Sequence, residues 1–179
     1  MVLTPDDIAR AAATTGWRTG TYPESAPLCG LALPSPVAQR RSPVNVSVGD
    51  GAYINVTTYA YAMASAADLK AMTDTVTQSA SQCPDKTLET GSQRFTLEFI
   101  KPIESKPPLV DYSLEFGYVG RSDAGTSMTA YVSYATLGNY AIRTEYQIFG
   151  QKFSEADSAD ANKIRVAQIV KLFVNAPRG

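Results

Sequence analysis

The residue types that most often carry catalysis are scarce in this chain. Its 179 residues include no histidine, which removes imidazole as general base, metal ligand or phosphoryl carrier, and with it most hydrolase triads and catalytic zinc sites. Cys29 and Cys83 are the only cysteines, and without a Cys-x-x-Cys pair they make neither a zinc site nor a thioredoxin-type redox motif. Three readings of them stay open: two buried thiols, one reactive thiol beside a bystander, or a single structural disulfide in an exported domain. The disulfide is the reading that best suits a sequence rich in Tyr, Thr, Ser and Ala with only 18% charged residues. Four carboxylates, Glu98, Asp111, Glu115 and Glu145, occur singly on strand-like segments rather than as an acid and base flanking a scissile bond. No glycine loop of the P-loop or dinucleotide type is present. No catalytic residue, cofactor or metal is therefore expected, and an enzyme working through carboxylates or tyrosine alone is the least favoured class.

Residues suited to recognition are more plentiful. Tyr53, Tyr59 and Tyr61 fall at alternate positions of one strand-like segment and so share a face, with Tyr131 as a candidate fourth member. Tyrosine combines apolar area with a polar tip, so such a face suits a ligand platform; it equally suits the helix-covered or solvent side of a sheet. Arg143 and Glu145 also share a strand face. They would line a cleft or, as the simpler expectation, form a screened surface pair.

Apolar residues make up 44% of the chain, and 16 Lys and Arg oppose 17 Asp and Glu for a net charge of −1. That composition supports a folded core rather than disorder and argues against binding nucleic acid through a basic surface. No run approaches the roughly 18 apolar residues a membrane helix needs, and residues 1–20 lack the basic-then-apolar order of a signal peptide. The opening Met1-Val-Leu-Thr-Pro-Asp-Asp7 reads either as a native start or as a start placed on an excised domain. The second is the expectation, with a signal, lipid or transmembrane anchor further upstream.

These residues need elements to hold them. Thr4-Pro5-Asp6-Asp7 has the cap, proline and acids of a helix start, running to a stop at Gly16. Prolines at 23, 27, 34, 36 and 43 predict a loop over 22–43. Val44–Val48 and Ala52–Met63 alternate as strands around the Gly49-Asp50-Gly51 turn. Ser65-Ala-Ala-Asp68 caps a helix with Leu69, Met72, Val76 and Ala80 as its apolar stripe, which places Cys83 on the buried side of its last turn. Period-two segments near 93–100, 109–119, 126–136 and 139–149 predict four more strands joined by short links, hence antiparallel. Ser154 to Asp157 caps a last helix, for which Val166, Ile169, Val170 and Phe173 are the expected buried face. The expected fold is α+β: a twisted antiparallel sheet of about five or six strands packed against helices at the N-terminus, centre and C-terminus.

Leu3-Thr4-Pro5-Asp6-Asp7-Ile8 at the front, Cys29-Gly30, the Ser65-Ala-Ala-Asp68 helix closing on Cys83, and the Leu137-Gly138-Asn139 corner carry a family resemblance in this order. The chain resembles the extracellular sensor domain of mycobacterial PknH-type serine/threonine kinases, a module that also occurs alone in actinobacterial lipoproteins and secreted proteins. The resemblance implies one domain over 1–179, located outside the cell or in the envelope, that binds a small envelope-associated ligand in a cleft between sheet and helices. It implies no turnover. The kinase domain has a second disulfide that this chain lacks, which favours a solitary exported or lipid-anchored member. Tyr53, Tyr59, Tyr61, Tyr131, Arg143 and Glu145 are the candidate ligand-binding residues, and Cys29 with Cys83 the candidate bridge. The alternative is an interaction or inhibitor domain presenting the proline-rich loop or a sheet edge to a protein partner.

Overall fold

The computed structural model describes residues 1–22, 35–82, 87–90, 93–99, 103–105 and 108–177. Three helices, α1 (Pro5–Ala11), α2 (Ala66–Gln82) and α3 (Glu155–Asn175), accompany nine strands among these residues. The strands are β1 (Arg18–Thr19), β2 (Ala38–Gly49), β3 (Ala52–Ala62), β4 (Thr87–Thr90), β5 (Gln93–Phe99), β6 (Ile103–Ser105), β7 (Tyr112–Ser122), β8 (Ser127–Leu137) and β9 (Tyr140–Phe149). All pair antiparallel in a single sheet of order β1-β2-β3-β9-β8-β7-β5-β4, with β6 added alongside β7. No described helix is long and apolar enough to cross a membrane.

The fold class is the expected α+β. The long strands follow from alternation, which local sequence displays, whereas β1, β4 and β6 are two to four residues long and too short to show a period. Sharp turns sit where glycine permits them: Gly49, Asp50 and Gly51 all take positive φ, at 98°, 44° and 77°, in the β2–β3 hairpin. At Asp50 the tolerance of a short polar side chain for this region is used instead.

Side-chain parity divides the sheet into two buried faces. Ile54 and Val56 of β3, Tyr146 and Ile148 of β9 and Val44 and Val46 of β2 pack with Ile8 of α1 and Ala161 and Ile164 of α3. On the other face Phe95, Leu97, Leu114, Phe116, Met128 and Val132 pack with Val76 of α2. Tyr59 and Tyr61 pack there with Leu69 and Met72. The layers are therefore α2, sheet, and α1 with α3. β9 lies mid-sheet, and every residue from Ala141 to Phe149 is buried.

Three expectations need correction. Ala38–Pro43 belongs to β2 rather than to a loop, with Pro43 opposite Thr57. The Pro43 carbonyl accepts from Gly20 N on the outer side at 2.8 Å, so this residue's missing N–H faces away from β3 and no ladder bond there is lost. α1 ends at Ala11, a turn before Gly16, because the amides of Ala13 and Thr14 leave the helix to donate to Asp160 of α3 at 2.8 and 3.1 Å. On α3 the buried positions are Asp157, Asp160, Ala161, Ile164, Gln168, Ile169 and Leu172, while Val166 and Val170 are exposed. Two polar residues displace the apolar stripe: Asp160, holding the end of α1, and Gln168, which accepts from the Thr144 hydroxyl and donates to the Tyr59 carbonyl at 2.8 Å.

Candidate functional site

Pairing of β3 with β9 places Tyr59 opposite Arg143 and Thr57 opposite Glu145, and pairing of β9 with β8 places Arg143 opposite Tyr134. Directly opposite residues point to the same face. Tyr59, Tyr61, Arg143 and Glu145 are thereby gathered on the face that α2 covers. The Arg143 guanidinium lies over the Tyr59 ring, 3.9 Å from its centroid, and donates from Nη2 to Glu145 Oε1 at 2.8 Å. Tyr59 stacks in turn on Tyr61, with 6.0 Å between centroids and 5° between planes.

Arg143 and Glu145 are not a screened surface pair: they are 5% and 8% exposed. Their alternation with Ile142 and Thr144 resembles a wet strand face, but β9 is covered on both sides. Burial of such a pair costs desolvation that a single ion pair only partly offsets, so it is weak evidence for stability and better evidence for a retained role. Arg143 Nε has no hydrogen-bond partner among the described residues.

Further members of the cluster escaped the sequence reading. Tyr22 directs its hydroxyl to the Val56 carbonyl and Thr57 Oγ1, both at 2.9 Å, and its own carbonyl accepts from Arg41 Nη2 at 3.0 Å. The Arg41 guanidinium lies 5.5 Å from the Tyr22 ring centroid and 6.0 Å from that of Tyr59. Gln147 reaches toward the Tyr118 hydroxyl at 3.5 Å on the same face. The proline spacing concealed Arg41 by making its strand look like a loop; Gln147 was legible in principle as the next alternate position after Arg143 and Glu145.

The electrostatics follow from burial. Burial first, and then the Glu145 carboxylate, push the Tyr59 hydroxyl up to about 12. The same burial raises Tyr61, Tyr118 and Tyr134 above the usual tyrosine range. Burial alone would lower Arg143, but the adjacent Glu145 carboxylate and then Tyr134, Tyr61 and Tyr59 together outweigh it and raise the guanidinium well above its ordinary value. The cluster thus holds two guanidinium groups, Arg143 and Arg41, the Glu145 carboxylate and a shell of neutral phenols. That suits recognition of a polar ligand.

The remaining candidates lie elsewhere. Tyr53, on the same face near the hairpin, is 38% exposed and stacks on Phe149 at 4.6 Å. Tyr131 lies on the opposite face, where it donates to Glu115, itself paired with Arg165 at 2.7 Å. It does not join the platform. Glu115 and Glu145 therefore occupy opposite faces, and Asp111 accepts from the Gly138 amide at 2.8 Å at the β8–β9 turn. Cys29 and Cys83 both lie outside the described residues.

Beside the cluster a groove of about 570 Å³ opens between α2 and the ends of β7 and β8. Leu69, which packs over Tyr59 and Tyr61, is part of its wall.

No protein-family model and no curated protein matches the chain. Among solved structures it is similar to the extracellular domain of PknH from Mycobacterium tuberculosis. The likeness covers 95% of this chain and 93% of that one, with a TM-score of 0.55 and 12% sequence identity. At that identity what is shared is the fold. The α+β layout expected from the family resemblance is therefore found in a solved extracellular domain of nearly the same extent.

Proposed function

We propose that this chain is a non-catalytic, exported ligand-binding or sensor module of the actinobacterial cell envelope, acting as one domain over 1–179. The observation that carries the reading is the shared fold with an extracellular domain along almost the whole chain. The buried Arg143–Glu145 pair beneath α2, ringed by Tyr59 and Tyr61, supports it by supplying a polar anchor that packing does not require. The ligand is a small envelope-associated molecule. Tyr59, Tyr61 and Arg143 meet it, Glu145 holds the guanidinium in place, and Tyr53 borders the approach. Export implies a bridge between Cys29 and Cys83 and a signal, lipid or transmembrane anchor upstream.

Thermal unfolding in the presence of small-molecule fractions of cell-envelope extract tests this. A ligand that binds only the native state raises the melting temperature with its concentration, and at least one fraction should do so. Consumption of a component of the extract at a catalytic rate would reject the non-catalytic reading. A protein unmoved by every fraction would reject ligand binding.

A further inference from the structure

Arg143 and Tyr59 each keep a buried polar atom without a hydrogen-bond partner, Nε of the guanidinium and the phenol hydroxyl. The two residues are 5% and 0% exposed, and they touch, with the guanidinium over the ring at 3.9 Å from its centroid. A donor buried with no acceptor destabilises the protein that carries it, and such groups are rare enough that each calls for a reason. Two of them in contact, on the face already proposed to meet a ligand, call for an acceptor from outside the chain.

The charges around them select the kind of acceptor. Arg143 and Arg41 bring guanidinium groups within 3.9 and 6.0 Å of the Tyr59 ring centroid. Glu145 is the carboxylate facing them among the described residues, and its Oε1 is already bonded to Arg143 at 2.8 Å. A cationic ligand would therefore meet like charge, and a purely apolar one would leave both donors unmet. A carboxylate or phosphate oxygen accepts from both, and its bonds are charge-assisted, about twice as strong as those to a neutral acceptor.

What borders the cluster sets the rest of the molecule. Leu69 and Met72 pack with Tyr59 and Tyr61, and Leu69 is also part of the wall of the groove, together with Ala66. The groove's polar groups are bonded among themselves: Lys70 with Asp74 at 2.6 Å, Thr77 with Tyr112 at 2.9 Å, and Asp111 with the Gly138 amide at 2.8 Å. They need nothing from a ligand, so the side offered along Leu69 is apolar. A volume of about 570 Å³ falls within the roughly 300–1,000 Å³ of small-molecule sites.

We infer that the ligand is an organic acid, a carboxylate or phosphate group on a short apolar body. Its acidic end accepts from Arg143 Nε and the Tyr59 hydroxyl, and its body runs along Leu69 into the groove. The inference rests on the ligand-binding reading above and gives it a chemical class at the same residues.

The test is a heteronuclear NMR titration of the whole chain with hexanoate and hexyl phosphate, one for each kind of acid, and with hexanol as their uncharged counterpart. At least one acid should shift the Arg143 Nε–H signal and the amides of Tyr59 and Leu69 in a saturable way, and the tighter of the two identifies the acidic group. Hexanol should bind at least tenfold more weakly. Tyr59→Phe removes a hydroxyl that has no partner, so it should melt close to the wild type and yet weaken the acid about tenfold, the order expected for loss of one hydrogen bond to a charged group. The Arg143 Nε–H signal of the wild type decides whether or not that variant folds. Unchanged acid affinity in folded Tyr59→Phe, hexanol binding as well as the acids, or an Arg143 Nε–H signal unmoved by both acids would overturn the inference. If neither acid binds while an uncharged fraction of envelope extract shifts Tyr59 and Arg143, the acid class is wrong and the ligand-binding reading stands.

Discussion

Arg143 and Glu145 are held at 2.8 Å with side chains 6% and 10% exposed, so each keeps its charge because the other is there. Removing one partner strands a charge in a low dielectric, at a cost of about 3–5 kcal/mol. Arg143→Met and Glu145→Gln should each lose stability of that order in urea unfolding, and Arg143→Met combined with Glu145→Leu should recover much of it. Simple additivity in the double variant would contradict the pairing. The phenols make a second prediction at this scale. An unfolded tyrosine ionises near pH 10, whereas Tyr59 holds its proton to about 12 and its buried neighbours are raised as well. Between those values the native state binds more protons than the unfolded one, so stability is present below pH 10 and lost as pH rises toward 12. The part of the tyrosinate absorbance that comes from these buried phenols should therefore appear together with the loss of circular dichroism. Complete ionisation of all tyrosines while the circular dichroism is still native would count against the burial. That Tyr59 and Tyr61 share one strand face, and Arg143 and Glu145 another, was legible because a strand's period is two. That the two faces are one surface beneath a helix was not, since alternating Tyr and Thr reads alike on a wet or a covered strand.

At the scale of elements, the helix caps repay local reading and the helix faces do not. Thr4 with Asp7 and Ser154 with Asp157 form capping boxes, and Ser65 accepts from the Asp68 amide at 3.1 Å, as their spacing foretells. Asp7 does more than cap, since it also pairs with Lys171 of α3 at 2.6 Å. Against the raising effect of burial, the Lys171 bond and those from Thr4 hold its carboxyl well below the usual carboxylate range. A lowered native value means stability that is fully present above the unfolded carboxylate value of about 3.9 and is lost as pH falls below it. The melting-temperature gap between the wild type and Asp7→Asn should be open at neutral pH and close below about pH 4; a gap independent of pH would contradict the ion pair. Asp160 explains why the face of α3 was misread. It is 3% exposed and accepts from two amides and the Thr14 hydroxyl, so a polar residue occupies a core position for reasons that lie about 150 residues away in the chain, as the Ala13–Asp160 bond does. Asp160→Ala should strand these donors and destabilise the protein by about 1–3 kcal/mol or more in calorimetry, with protection lost first at α1.

For the whole molecule, the order of the long elements, helix, two strands, helix, four strands and helix, was readable because each carries its own period and turn chemistry, whereas the short β1, β4 and β6, which bring the sheet from the expected five or six strands to nine among the described residues, were not. The two-sided burial of the sheet was less so: β8 shows Met128, Ala130 and Val132 to α2, while β9 shows Ile142, Tyr146 and Ile148 to α1 and α3. Period alone does not say which side each set takes. The proposed Cys29–Cys83 bridge belongs to this scale too. In the chain-entropy account, closing so long a loop contributes on the order of 4 kcal/mol. Titration of the unreduced, denatured protein should find no free thiol, and two thiols per chain would remove the bridge and weaken the proposed export. The most direct measurement for the central claim is native mass spectrometry of the wild type and Arg143→Met after incubation with a small-molecule extract of the cell envelope. The account predicts a stoichiometric, unconverted adduct on the folded wild type that is lost or sharply reduced on folded Arg143→Met. No adduct on the wild type, or an adduct indifferent to Arg143, would contradict it.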